Sequence, residues 1–370
     1  MKDILCKRNE KILSLQALRG LAFLGIFFVH TRAPVSWATL GVSTFFVLSG
    51  CLLYYRNGKQ ELPCSPKTNM LFARKKMKKL YPLHIATMCL TVIMYLIIWK
   101  HNGFTMKDVA YMLAAIGLNI TLLQSWVPYN PMNVSLNGVA WFLSSAMFLY
   151  FMFPYIRRWM KKRTNTQLLI SYLLFLSGEL LVCIVMTYIL GSESPVYKWL
   201  TYCFPVFRLS DFFAGCCLGK CWAETGEREN VSFAKASVCE ILVFLITTGV
   251  HIWAAQQSPN LLSRAANNGT TLFQPFAVMW VWLFIHKRGI LTKILTNRFT
   301  VFLGNISPHT FLIHFVIVQY FTTIKGLFRM ELSYWENLFF IAVQFVLTIL
   351  TTVIYRNFKI VIDKHRSMIV

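Results

Sequence analysis

The stretch LQALRGLAFLGIFFVH, residues 15–30, is apolar apart from a few positions, and two of those could do chemistry: Arg19 and His30. A guanidinium binds anions and stays charged, whereas a neutral imidazole accepts a proton near physiological pH. On a helix, eleven steps of ~100° return to one face, and at ~1.5 Å per residue the two side chains stand roughly 16 Å apart. That is about half of a ~30 Å hydrocarbon core. The spacing predicts two stations along one internal path, an anion holder at one end and a proton acceptor at the other.

Other groups are out of place in apolar surroundings. Arg208 and Asp211, in PVFRLSDFFAG, are three residues apart on a predicted helix and suit an internal ion pair. Glu179 and Glu240 lie in apolar runs without a local basic partner, so each is expected to be neutral or to face a polar cavity. His314, in FLIHFVIV, reads by default as a satisfied core residue, and otherwise, with Arg208, as a supporting residue of the site. The segment ARKKMKKLYPLH, residues 73–84, packs five basic residues into the six positions Arg74 to Lys79. Such a run either binds lipid headgroups or clamps the phosphates of an anionic cofactor. No His, Cys or carboxylate spacing points to a metal, and most of the ten cysteines sit inside apolar spans as small hydrophobes.

The elements that must position these residues are membrane helices. Of 370 residues, 56% are hydrophobic and only 14% charged, and the apolar residues come in blocks near the ~20 needed to cross a bilayer. The fold expected is an all-α polytopic bundle forming a single domain over 1–370. Ten spans are read: 14–31, 38–55, 81–98, 141–156, 168–190, 205–221, 238–255, 270–286, 300–320 and 337–355. The block 107–126 is treated as interfacial or re-entrant on the outer side. A crossing there would leave the basic run RRWMKKR, residues 157–163, outside. With both termini cytoplasmic, 28 of the 37 Lys and Arg fall in inside segments and seven outside, as the positive-inside rule demands. The net charge of +23 therefore reads as membrane anchoring and not as a nucleic-acid footprint. Arg19 then lies toward the cytoplasm and His30 toward the outer face.

The motifs LRGLAFLGIFFVH, LGVSTFFVLSGCLLYY, a basic run closing in LYP, AWFLSSAMFLYFMFP, FRLSDFFAG and LGNISPHTFLIHF occur in that order. Together they resemble the acyltransferase 3 family of integral membrane acyltransferases, over nearly the whole chain. The resemblance implies transfer of an acyl group, acetyl above all, from acyl-CoA to a hydroxyl of a surface carbohydrate or glycolipid. It implies an integral protein of the bacterial inner membrane, with membrane lipids and a carbohydrate as partners. It also identifies Arg19 and His30 with the family's Arg-(ten residues)-His motif. Two departures stand out. The positions of the family's R-x-x-R unit are Lys76 and Lys79, which keep charge but lose the planar fork. The glutamate that many members carry after Trp-x-Leu is absent, with Ala146 and Met147 in that stretch. No counterpart of the soluble hydrolase-like domain of some relatives is expected.

The roles that follow are expectations. Arg74, Lys76, Lys79 and Arg19 hold the nucleotide end or neck of acyl-CoA, and its pantetheine arm threads up the bundle toward His30. His30 is the general base for the acceptor hydroxyl. Asp211 or Glu179 supplies a carboxylate partner for His30. Ser49, Tyr150 or Asn119 stabilises the oxyanion. The competing reading is a transporter or flippase for a lipid-linked sugar, since intramembrane charges mark substrate paths there too. The absence of a repeat relating two halves speaks against it.

Overall fold

The computed structural model describes residues 12–33, 37–226, 231–255 and 271–369. The expected placements of residues 1–11 and of Arg264 lie outside the described residues. Those described form helices joined by turns, without a strand among them. The principal helices are α1 (Leu13–His30), α2 (Ala38–Asn57), α3 (Pro66–Met77), α4 (Tyr81–Asn102), α5 (Met106–Thr121) and α6 (Trp141–Met160). They continue with α7 (Asn165–Leu190), α8 (Leu209–Thr225), α9 (Phe233–Ala255), α10 (Gln274–His286), α11 (Arg298–Leu327) and α12 (Tyr334–Ile369). Eight are long and apolar enough to cross a membrane, among them α1, α2, α4 and α11. Two of the ten expected spans are shorter: α8 has 17 residues and α10 has 13.

Burial sorts the helices into an inner and an outer set. The apolar stretches of α1, α2 and α11 are 61%, 72% and 61% buried, whereas those of α7, α9 and α12 are only 17% buried. The inner set is the core, and the outer set presents its leucines, isoleucines and valines to lipid. Small residues let the inner helices touch backbone to backbone, as in other membrane bundles. A Cβ on Gly304 would run into the Gln16 carbonyl, and one on Gly215 into the Val47 carbonyl. Gln16 beside Gly304 and His30 beside His314 show that α1 and α11 run parallel. Pro308 removes an amide donor inside α11, and the freed Gly304 carbonyl accepts the Ser307 hydroxyl at 3.0 Å instead.

The segment 107–126 has its own geometry. Gly103, at φ +80°, ends α4, and a Thr105–Asp108 capping box starts α5. Helix α5 then returns antiparallel beside α4: Tyr81 donates to the Ile120 carbonyl at 2.8 Å, and His84 Nε2 to that of Asn119 at 2.9 Å. The chain next meets the first turns of α6, where Ser144 Oγ donates to Leu122 at 2.6 Å and Ser125 Oγ to Trp141 at 2.8 Å. Helix α6 continues to Arg157, whose Nε reaches the Gly58 carbonyl at 3.2 Å. Thirteen residues separate Ser144 from Arg157, roughly 20 Å of helix. Helix α5 thus ends level with the start of α6 and turns back within the bundle.

Candidate active site

Helix α1 is unbroken from Leu13 to His30, so the periodicity argument holds and Arg19 and His30 share a face. The stripe between them is filled. Phe23 and Phe27 are fully buried and Ile26 nearly so, and both phenyl rings lie against His314.

At the Arg19 end the guanidinium Nε is buried and has no hydrogen-bond acceptor among the described residues. None of the ion pairs among those residues includes it. The groups that face Arg19 are Tyr150 of α6 and Arg56 of α2, and Tyr150 also faces Ser49. Arg56 in turn faces Lys76 of α3. A chain of cations therefore runs from Arg19 through Arg56 to Lys76 and Lys79. A Ser65–Thr68 capping box and Pro66 at the first turn fix the start of α3 and so set where its basic residues emerge. The Lys76 stem lies along Phe72, with Nζ 5.0 Å from the ring centre. That partial desolvation, with the like charges of Arg56, Lys75 and Lys79, holds its ammonium below the ordinary lysine value. Arg74 and Lys79 are exposed on the same helix and its exit.

At the other end His30 is half-buried, and its ring centre lies 5.3 Å from that of His314 and 4.8 Å from that of Phe315. His314 is fully buried. Its Nδ1 faces the Thr310 carbonyl at 3.2 Å and so must donate, which leaves Nε2 as a lone-pair acceptor without a partner among the described residues. His314 is thus the neighbour of His30 and not merely a satisfied core group. On its open side His30 lines a cavity of about 510 Å³.

Several expected site residues go elsewhere. Asp211 is not the partner of His30: it accepts from Arg208 Nη1 at 3.0 Å, and Arg208 Nη2 also donates to the Thr201 carbonyl at 2.6 Å. Glu179, half-buried, faces Asp211, Arg208 and Ser210 of the same group and lines an apolar groove of about 670 Å³. Desolvation drives both carboxylates to the nearest donors, and His30 is not one of them. Asn119 is engaged within the α4–α5 pair, its amide donating to Ala115 at 2.9 Å and Ser135 at 3.0 Å. Ser49 and Tyr150 lie with Arg19, not with His30, which removes them from the expected oxyanion role at the base. Glu240, buried, accepts from the amides of Gly289 and Thr292 at 3.0 and 3.1 Å, so it caps the short helix Ile290–Leu295. Sequence reasoning missed Arg56 and the His30–His314 pairing. Arg56 carried one usable signal, its place at the cytoplasmic end of a span beside the basic run.

An acyltransferase domain model matches residues 12–356. The O-acetyltransferase OatA of Staphylococcus aureus is 25% identical over 335 residues, covering 85% of this chain and 53% of the relative. The acyltransferase MdmB of Streptomyces mycarofaciens is 22% identical over 347 residues, covering 86% of this chain and 82% of the relative. The chain thus spans about half the length of the OatA relatives it matches. No solved structure matches the chain. An all-α membrane bundle with the Arg19–His30 helix at its centre, matched by that domain model over nearly its whole length, belongs to the acyltransferase 3 family.

Proposed function

We propose that the chain moves an acyl group, acetyl in the simplest case, from cytoplasmic acyl-CoA to a hydroxyl of a carbohydrate or glycolipid on the other face of a bacterial inner membrane. The observation that carries this reading is the polarity of α1. One end joins a row of cations that form no ion pair among the described residues, and the other places an imidazole at a cavity.

The cations suit the polyanionic end of acyl-CoA. Arg74, Lys76, Lys79 and Arg56 take the phosphates, and Arg19 holds the neck as the arm enters the bundle. Ser49 and Tyr150, beside Arg19, position the same segment. The pantetheine arm is on the order of the ~16 Å helical separation. Because Phe23 and Phe27 fill the stripe, the arm displaces their rings to bring the thioester to His30. There the neutral imidazole takes the acceptor hydroxyl's proton, and the oxygen attacks the thioester carbonyl. The tetrahedral intermediate collapses, the C–S bond breaks, and the CoA sulfur leaves with the proton returned by His30. In the reacting complex the unpartnered His314 Nε2 would accept a His30 N–H, which would fix the tautomer and leave the other nitrogen basic.

The test is incubation of purified full-length chain, reconstituted in lipid, with radiolabelled acetyl-CoA and a panel of soluble and lipid-linked glycans. Label transferred to a glycan hydroxyl, and lost after mild alkaline treatment, is the expected result. Transport of a glycan without any acetyl transfer would instead support the flippase reading.

A further inference from the structure

We propose that the cavity at His30 selects an anionic acceptor, a glycan carrying a carboxylate or phosphate close to the hydroxyl that is acylated. The proposal rests on the acyl-transfer reading for its identification of the cavity as the acceptor site. The cavity is lined by residues from the end of α1, the last third of α11 and the first turns of α12. Two of them are cations, Arg32 and Lys325, and none is a carboxylate. Two acids close in sequence to the lining residues, Glu331 and Glu336, are otherwise placed. Glu336 accepts the Ser333 amide at 2.7 Å, and neither it nor Glu331 lines the cavity. Among the described residues Lys325 makes a neutral contact and no ion pair, its Nζ donating to the Asn337 amide oxygen at 3.5 Å.

Two further features point to a polar ligand. Gln344 lines the wall and is 8% exposed, and its Oε1 is buried without a donor among the described residues. A buried amide oxygen left so requires a donor, and a sugar hydroxyl is one. Arg32 sits at φ +57°, directly after α1, with its amide donating to Val29 and that of Ala33 donating to Phe28. This is the helix-ending position that usually takes glycine. The arginine that occupies it projects from the turn immediately beyond His30. Tyr334 and Phe340 add apolar surface of the kind on which sugar rings stack. A hydroxyl presented to His30 would therefore have two cations within the same enclosure, with no acid to neutralise them.

The test uses full-length protein in lipid nanodiscs and three radiolabelled probes: glucose, glucuronic acid and glucose 6-phosphate. Equilibrium binding should favour at least one of the two anions over glucose by about tenfold or more, the worth of a charge-assisted hydrogen bond. Which anion wins distinguishes carboxylate from phosphate. The preference should collapse toward unity in R32Q/K325Q and persist in R32K/K325R, which keeps the charge. In the parent, anion binding should weaken with added salt while glucose binding does not. Equal binding of glucose and both anions, no detectable binding of either anion, or a preference unchanged in R32Q/K325Q would overturn the proposal. Adding acetyl-CoA separates it from the reading beneath it. An anion that binds with the expected charge dependence but never receives label leaves the charge preference standing and counts against acyl transfer.

Discussion

Arg208 and Arg19 both lie within the bundle, and they could hardly be placed more differently. Arg208 is 1% exposed, paired with Asp211 and bonded to the Thr201 carbonyl. Both have a buried Nε without an acceptor among the described residues, but Arg19 takes part in no ion pair there and has a second arginine, Arg56, for a neighbour. Burying a charge near a bilayer centre costs about 2.5–3.5 kcal/mol on insertion scales. At Arg208 the protein offsets that cost itself, within one helix and its flanking turn. At Arg19 it does not, and adds like charge nearby. The first arrangement is that of a structural ion pair, and the second, on the function proposed above, that of a site completed by an anionic ligand.

The comparison sharpens under substitution. The largest effect expected is on stability, from D211N, which leaves Arg208 buried and uncompensated. Breaking a buried pair in this way costs about 3–5 kcal/mol, visible as a large drop in melting temperature of the purified protein. The double change R208M/D211L should recover most of it. R19Q should do the reverse: melting unchanged, but acyl-CoA affinity lowered roughly 10–100-fold, the loss of a charge-assisted hydrogen bond of about 1.5–3 kcal/mol. If R19Q melts like D211N and binds donor like the parent, the two arginines are of one kind and the contrast fails. H314A should lower turnover up to about tenfold, the worth of a neutral hydrogen bond, with the donor KM unchanged. H314Q, which can still accept through its amide oxygen, should restore most of the loss. R56Q should raise the donor KM only about twofold to fivefold, as for an exposed ion pair, and the increase should shrink at high salt.

What the sequence disclosed follows the reach of each interaction. Arg19 and His30 were legible together because one helix fixes both, and helical periodicity needs no tertiary information. The Arg208–Asp211 pair was legible for the same reason, three residues apart on one turn. His314 stands 284 positions from His30, and only the parallel packing of α1 on α11 through Gly304 brings the rings together. Arg56, Lys76 and Arg19 come from three helices, so their continuity is a property of packing alone. Glu179 looked like a free carboxylate for His30 because burial in an apolar run is visible in sequence, whereas the Arg208 and Ser210 side chains that it faces are not. The same limit applied to Glu240, whose partners are amides of a short helix about fifty residues away. Ser49 and Tyr150 were found as polar groups near the path, but their place at the Arg19 end required the register of α2 and α6.

The central claim is that one helix separates donor binding from proton transfer, and H30Q tests it most directly. Glutamine keeps hydrogen-bonding capacity but cannot accept a proton at neutral pH. Radiolabelled acetyl-CoA binding and acetyl transfer should be measured on the same preparation of H30Q in lipid. The account predicts donor affinity within error of the parent and transfer reduced roughly 10²–10⁴-fold, the usual contribution of a general base. Transfer at the parental rate, or donor binding lost together with transfer, would contradict it.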